Sequence, residues 1–223
     1  MKTIKSLRNR ELGKRAFILA NGPSILEENL SFLKDEITIG MNASTILESK
    51  YNFQTDYYVL SDTRFITHPE KSHFATTSLN SQTVRVFREE LRELDDKSLP
   101  NKTYYVPALQ RDGFSKSLQS GYFFGCTTTM LAIQLAYYLG ITDIYLLGCD
   151  LKYSADSPRF YKESNPQLED SFTSIQILNI SNANIILNKE NKRIVNCSKN
   201  SFLRPYLDYE PFDSLFKNKV SAA

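Results

Sequence analysis

Histidine and cysteine are scarce in this 223-residue sequence, and neither sign of charge is in large excess. The two histidines, His68 and His73, stand five positions apart in a stretch that reads as a polar loop, which argues against a histidine-rich metal site. The cysteines, Cys126, Cys149 and Cys197, are odd in number, lack C-x-x-C spacing and sit among apolar or small residues. They read as reduced, buried thiols rather than as a disulfide scaffold or a zinc site. Lysine and arginine total 27 against 25 aspartate and glutamate, a net charge of +2. No broad basic field therefore makes nucleic acid the default partner, and any bound anion must be held locally. No apolar run approaches the ~20 residues of a membrane span. The longest, Met130 to Leu139, is broken by Gln134. The start, Met1 to Arg10, is basic but lacks the apolar core and small-residue cleavage site of a secretory signal, so the expectation is a cytoplasmic protein. No repeat, low-complexity tract or Pro/Gly/Ser linker divides the chain, which leaves a single domain over 1–223.

What the sequence does hold is enough apolar side chain, 41% of residues, for one sizeable core. Short aromatic and β-branched runs predict strands at Ala16 to Ala20, Ile37 to Met41, Tyr57 to Leu60, Thr83 to Phe87, Thr103 to Val106, Ile144 to Leu147 and Ile194 to Cys197. Phe17-Ile18-Leu19 and Ile144-Tyr145-Leu146-Leu147 are apolar without alternation, as in strands covered on both faces. The fold expected is α/β: a Rossmann-like domain with a mostly parallel sheet, flanking helices and a lid insertion. A helix from Gly125 or Cys126 to Leu139, apolar around most of its circumference, reads as central and buried, with Gly140 as its C-cap. A second helix, Leu168 to Asn188, carries Phe172, Ile175, Leu178 and Ile186 as an apolar stripe. Residues 63–82 and 152–167 are polar and loop-like, and are the lid candidates.

Three places offer chemistry. In Phe17 to Glu27 an apolar strand meets a turn, Asn21-Gly22-Pro23-Ser24, and a helix start at which Ser24 and Glu27 match a capping box. That geometry offers backbone N–H groups to a phosphate, with Gly22 allowing close approach. An ordinary strand-to-helix turn fits equally. Asn42 and Asp62 fall at the carboxyl ends of the next two strands, the edge where open α/β sheets bind ligands. Asn42 could read a base or ribose, and Asp62 could hold a metal-bridged phosphate or act as a base; the plainer alternative makes both helix caps. Gly125-Cys126-Thr127-Thr128-Thr129 puts hydroxyls and the positive end of a helix at the same edge, and Asp150 follows the next strand. Near the C-terminus, Ser198 in a polar turn either closes over a nucleotide or belongs to the cap of a short helix around Phe212 to Phe216.

These segments, in order from Gly13 to Ser24, Ser61-Asp62, Gly125 to Thr129 with Leu135 to Gly140, Gly148 to Tyr153 and Val195 to Ser198, resemble bacterial proteins grouped with the archaeal 6-hydroxymethylpterin diphosphokinase family. The resemblance spans nearly the whole chain. Bacterial members of that grouping are typically encoded with surface-polysaccharide enzymes. A more distant similarity is to small bacterial sialyltransferases that use CMP-sialic acid. It implies a cytidine nucleotide held at Asn21, Gly22, Asn42 and Thr128, beside Pro23, Ser24, Thr127 and Ser198, with the lid tyrosines, Tyr153 and Tyr161, on its phosphate. Those enzymes use a lid histidine as general base, but Lys152 to Lys192 contains none, and Arg159-Phe160-Tyr161 stands where His-Phe-Tyr is common. The resemblance then leaves Asp62, or Asp150, as the base, and Arg159 as a fixed cation for a phosphate or carboxylate. The implied function is a glycosyltransferase that takes a nucleotide-activated sugar to a glycan acceptor without a cofactor or metal. The alternatives are a magnesium-dependent diphosphokinase acting on a pterin-like alcohol, with Asp62 and Asp150 as metal ligands, and a non-catalytic nucleotide-binding protein. Peripheral membrane contact and homo-oligomerisation stay open.

Overall fold

The structure, a computed structural model, describes residues 3–76, 78–94, 103–153, 158–163 and 170–217. Its centre is a sheet of eight parallel strands: β1 Arg15–Leu19, β2 Ile37–Met41, β3 Tyr57–Leu60, β4 Val84–Arg88, β5 Thr103–Val106, β6 Asp143–Leu147, β7 Arg193–Asn196 and β8 Asp208–Tyr209. Seven of these are the expected strands; β8 has only two residues and no apolar run to announce it. The order is β5-β4-β3-β2-β1-β6-β7-β8. The chain winds outward from β1 to β5, then crosses back to lay β6 on the free side of β1. A crevice opens at such a switch point, outside the carboxyl ends of the strands.

The strands are apolar throughout because both sheet faces are covered. Along β1, Ala16 and Ile18 point into one core while Phe17 and Leu19 point into another, all fully buried. Among the described residues, five α-helices flank the sheet: α1 Thr45–Tyr51, α2 Arg64–Thr67, α3 Pro69–Thr76, α4 Thr128–Leu139 and α5 Thr173–Asn188. Helix α4 is the expected central helix, buried at every position but Tyr137. Thr127 caps it by accepting the Thr129 N–H at 3.2 Å, and Gly140 ends it at φ 86°, a left-handed conformation that favours glycine. Gln134, which interrupts the apolar run, is itself completely buried. Its amide oxygen accepts the Ser115 and Phe123 N–H groups at 2.8 and 3.0 Å, and its nitrogen donates to Phe123 and Met130 carbonyls at 2.8 Å. The polar interruption therefore pins the β5–α4 connection to the helix.

Two expectations need correction. In α5 the buried side chains are Gln176, Asn179, Ile180, Ala183 and Leu187, whereas Phe172 and Leu178 of the expected stripe are 49% and 61% exposed. Polar Gln176 and Asn179 face inward because each bonds to a loop beneath: Gln176 to the Cys126 carbonyl at 2.9 Å, and Asn179 to the Gly113 N–H at 3.1 Å. The stretch 63–82 is largely helical. It hides Phe65, Phe74, Ala75 and Leu79 in a core with Tyr58 and Phe87; His73 belongs to α3 rather than to a loop, and His68 caps the end of α2. Of the other lid candidate, 152–167, residues 154–157 and 164–167 lie outside the described residues, as do Leu168 and Glu169 of the expected second helix. Among the described residues, no helix is long and apolar enough to cross a membrane.

The C-terminal 3-10 turn Phe212–Phe216 closes the second core. Phe17 stacks on Tyr145 and Phe216 at 5.1 and 5.8 Å and meets Phe212 edge-on at 5.7 Å. Beside it the half-buried Glu28 carboxyl is pushed up from 4.5 to about 7, first by burial and then by the charges of Asp213 and Glu27. A carboxyl that holds its proton more tightly when folded makes the protein lose stability as pH rises through that interval. Glu28→Gln should therefore melt above the parent protein at pH 8 and alongside it at pH 4, as calorimetry at the two pH values will read.

Candidate functional site

Parallel strands bring Asn21, Asn42, Asp62 and Asp150 to one edge of the sheet, each just beyond the carboxyl end of its strand. Two adjoining cavities open there, with Asn42, Thr127, Thr128, Tyr153 and Arg159 in the wall of both.

The inner cavity, about 80 Å³, lies at the β1/β6 switch point. Its floor is knitted by the Gly22 N–H donating to the Gly148 carbonyl at 2.7 Å. Asn21, buried, spans the ends of β1 and β2: its amide nitrogen donates to the Met41 carbonyl at 3.3 Å and its oxygen accepts the Ala43 N–H at 3.2 Å. The Asp150 carboxylate, also buried, accepts the Ser24 N–H at 3.0 Å and the Ser24 hydroxyl. The Ser198 hydroxyl lies 2.9 Å from that of Ser24. Ser24 thus bonds to Asp150 rather than to its own helix start, and Gly22 rather than Ser24 occupies the cap of the Pro23–Glu27 turn. Gly22 is required by packing: a Cβ there would meet Asp150 Oδ2 and the Gly148 carbonyl oxygen at 2.5 Å each. Pro23 starts the 3-10 turn, as its fixed φ suits. Cys149, fully buried in this wall, has its thiol pushed up to about 12 by burial and then by the Asp150 charge.

The outer cavity is larger, about 280 Å³, and charged. Asp62 grips Arg64 bidentately, Nε and Nη2 donating at 3.0 and 2.6 Å, and also accepts the Arg64 N–H at 2.9 Å. Burial raises this carboxyl, but the Arg64 bonds and charge outweigh it and hold the group below the usual aspartate range. Asp62 is not the cap residue of α2, which is Thr63, although it accepts the N–H of Arg64, the first residue of that helix. Asp170, at the opposite wall, has neutral partners: the Phe172 N–H at 2.9 Å, the Tyr153 hydroxyl at 3.2 Å and the Gln176 amide at 2.8 Å. The Arg159 guanidinium lies 4.9 Å from the Tyr153 ring and has no carboxylate partner among the described residues. Thr128, at the head of α4, shares a 2.7 Å hydrogen bond with Ser61. Three buried polar atoms in these walls lack a partner among the described residues: Asn42 Oδ1, Gln176 Oε1 and Arg88 Nε. Such atoms are costly unless a ligand or water meets them.

The structure thus gathers Asn21, Gly22, Asn42, Asp62, Thr127, Thr128, Asp150, Tyr153 and Arg159 around connected space. It does not bring the other expected residues to the cavity walls. Pro23, Ser24 and Ser198 stand behind the inner wall. Tyr161 is turned away, its hydroxyl donating to Glu163 at 3.3 Å and its ring against Phe74 and Phe160, while Glu163 pairs with Lys71 at 2.5 Å. Cys126 is half-buried in the outer wall instead of fully buried, and all three cysteines are free. Four residues of the outer wall went unread in the sequence. Arg88, the last residue of β4, carried the same strand-end signal as Asn42 and Asp62, whereas Arg64, Asp170 and Gln176 carried none, the latter two falling within the helix expected over Leu168 to Asn188.

A family model described as 6-hydroxymethylpterin diphosphokinase MptE-like matches residues 1–156, and the chain belongs to that family. A curated relative, the "probable 3-deoxy-manno-octulosonic acid transferase" of Salmonella typhimurium, is 27% identical over 66% of this chain and 67% of its own length. Among solved structures, the MAf glycosyltransferase of Magnetospirillum magneticum AMB-1 superposes over 91% of this chain with a TM-score of 0.65 at 15% identity; this chain spans only 34% of that one. The sialyltransferase CstII of Campylobacter jejuni, solved with the substrate analogue cytidine-5'-monophosphate, superposes over 90% of this chain and 86% of its own, with a TM-score of 0.55 at 14% identity. Both structural likenesses are of fold.

Gly22→Ala should lower stability by about 1–3 kcal/mol with no nucleotide present, because the added methyl meets Asp150 and a backbone carbonyl. Thr128→Val should cost about 1 kcal/mol by removing the Ser61 partner at little change in volume. Denaturant unfolding of the unliganded variants reads both.

Proposed function

We propose that this family member is a glycosyltransferase that moves a sugar from a cytidine monophosphate-activated donor to a glycan acceptor in surface-polysaccharide assembly. The observation that carries this reading is the convergence, on adjoining cavities at the switch point, of the β1 turn, the head of α4 and Arg159, which has no carboxylate partner among the described residues. A buried helix head and a guanidinium are suited to a phosphate that gains charge as it leaves. The name of the Salmonella relative and the nucleotide in the Campylobacter structure support the same chemistry.

On this reading the phosphate lies at the wall that both cavities share, against Thr127, Thr128 and Arg159. The bond between the anomeric carbon and the phosphate oxygen breaks, its electron pair staying on that oxygen. The acceptor oxygen bonds to the anomeric carbon and loses its proton to a carboxylate of the outer cavity. We assign that proton to Asp170 rather than Asp62. The Arg64 pair lowers the affinity of Asp62 for a proton, whereas the partners of Asp170 carry no formal charge. Asp62 then anchors Arg64, and Asp150 ties the β1 turn to β6 through Ser24. The orphaned oxygens of Asn42 and Gln176 are left to accept hydrogen bonds from the donor.

The diphosphokinase reading has less support. It asks Asp62 and Asp150 to be metal ligands, but the one is engaged by Arg64 and the other by Ser24, and they line different cavities. Calorimetric titration decides between the two. CMP should bind in the presence of a chelator, and Arg159→Gln should weaken it. Asp170→Asn should keep CMP affinity while lowering donor turnover by roughly 10²–10⁴-fold, the usual share of a positioned base. ATP binding that needs magnesium, with no CMP binding, would overturn the transferase.

A further inference from the structure

We propose that the cavity-bearing edge docks on an anionic lipid surface, which turns the mouths of both cavities toward the membrane. Three large aromatic side chains are strongly exposed among the described residues: Phe172 (49%) and Phe202 (47%), beside the cavity walls, and Tyr206 (55%), further along the Phe202 segment before β8. The Phe172 N–H donates to Asp170 in the outer wall, and the Phe202 N–H donates to the Asp150 carbonyl in the inner wall at 3.0 Å. Tyr206 follows one turn later, its N–H bonded to the Leu203 carbonyl at 2.9 Å. Loose packing does not account for the exposure of the last two. Ser201 donates to the Cys149 carbonyl at 2.6 Å, and Leu203 and Leu207 are buried, so the segment is held firmly while its rings face out.

Cations accompany these rings. Lys152 Nζ is 5.1 Å from the Phe202 ring and the Arg204 guanidinium 3.9 Å from the Tyr209 ring, with Lys199 exposed just before the segment. None of the three pairs with a carboxylate among the described residues. Aromatic rings that rest at the headgroup boundary beside long-stemmed cations that reach lipid phosphates form the chemistry of interfacial binding. Phe172 and Phe202 sit next to residues of the two cavity walls, a spread that suits a broad, flat, negatively charged partner better than a single anion. The inference rests on the rim and not on the reaction, so failure of CMP to bind would leave it standing.

Sedimentation with phosphatidylglycerol and phosphatidylcholine vesicles tests it. The protein should pellet with the anionic vesicles and remain in solution with the neutral ones, and binding should weaken as salt is raised. Lys199→Glu and Arg204→Glu should each weaken binding by about five-fold or more, the equivalent of about 1 kcal/mol per surface cation. Phe202→Ser with Tyr206→Ser should weaken it further with unchanged melting temperature. Equal pelleting with both vesicles, or anionic binding untouched by all four substitutions, would overturn the proposal. So would a dimer in light scattering that the Phe202→Ser, Tyr206→Ser variant abolishes, since the rim would then bind a second copy.

Discussion

Burial of helix α4 against the middle of the sheet is the constraint on which the other features depend. A helix hidden at all positions but Tyr137 has to lie over the central strands, and its contacts run to β1, β2 and β3. The chain reaches it only by leaving β5 at one border, crossing the sheet and returning as β6 beside β1. That path creates the switch point, and the direction of the helix puts Thr127 and Thr128 at the carboxyl edge. Gln134 keeps the long approach in place through three hydrogen bonds, to Ser115 and Phe123, that water would otherwise have to supply.

Around that helix head, most polar groups of the site are already occupied by the protein. Asn21 joins β1 to β2, Asp150 joins the β1 turn to β6, Asp62 holds Arg64, and Asp170 holds Tyr153 and Gln176. Groups fixed in this way need little reorganisation when a charged ligand arrives, which is the condition for electrostatic stabilisation of a leaving phosphate. Among the described residues, two amide oxygens of the site, on Asn42 and Gln176, lack a partner, and Arg159 packs on Tyr153 without a carboxylate. The transferase reading gives these three a ligand group. The diphosphokinase reading would first have to break the Arg64 and Ser24 bonds.

The same edge also explains why exposed aromatic rings are found where they are. Strand ends and their loops carry the candidate site, so a fold that opens its cavities at one edge concentrates recognition there. Elsewhere the large aromatics, such as Phe17, Tyr145, Phe212 and Phe216, are interlocked in the core.

The sequence by itself determined every strand but β8, the central helix and the edge. Apolar runs such as Phe17 to Leu19 are legible because burial on both faces leaves no room for alternation, and Gly140 marks a helix end by a backbone requirement local to it. Tertiary structure alone decided which polar residues meet. Asp150 and Ser24 lie 126 positions apart, and Asp170 reaches the outer cavity only because α5 returns to the edge where α2 begins. The inward face of α5 was hidden for the same reason: Gln176 and Asn179 are buried by hydrogen bonds to distant loops, which a hydrophobic stripe cannot register. Gly22 was marked as special, but for a ligand. The side chain that forbids a Cβ there is Asp150, and only the packing of β1 against β6 brings that carboxylate to it.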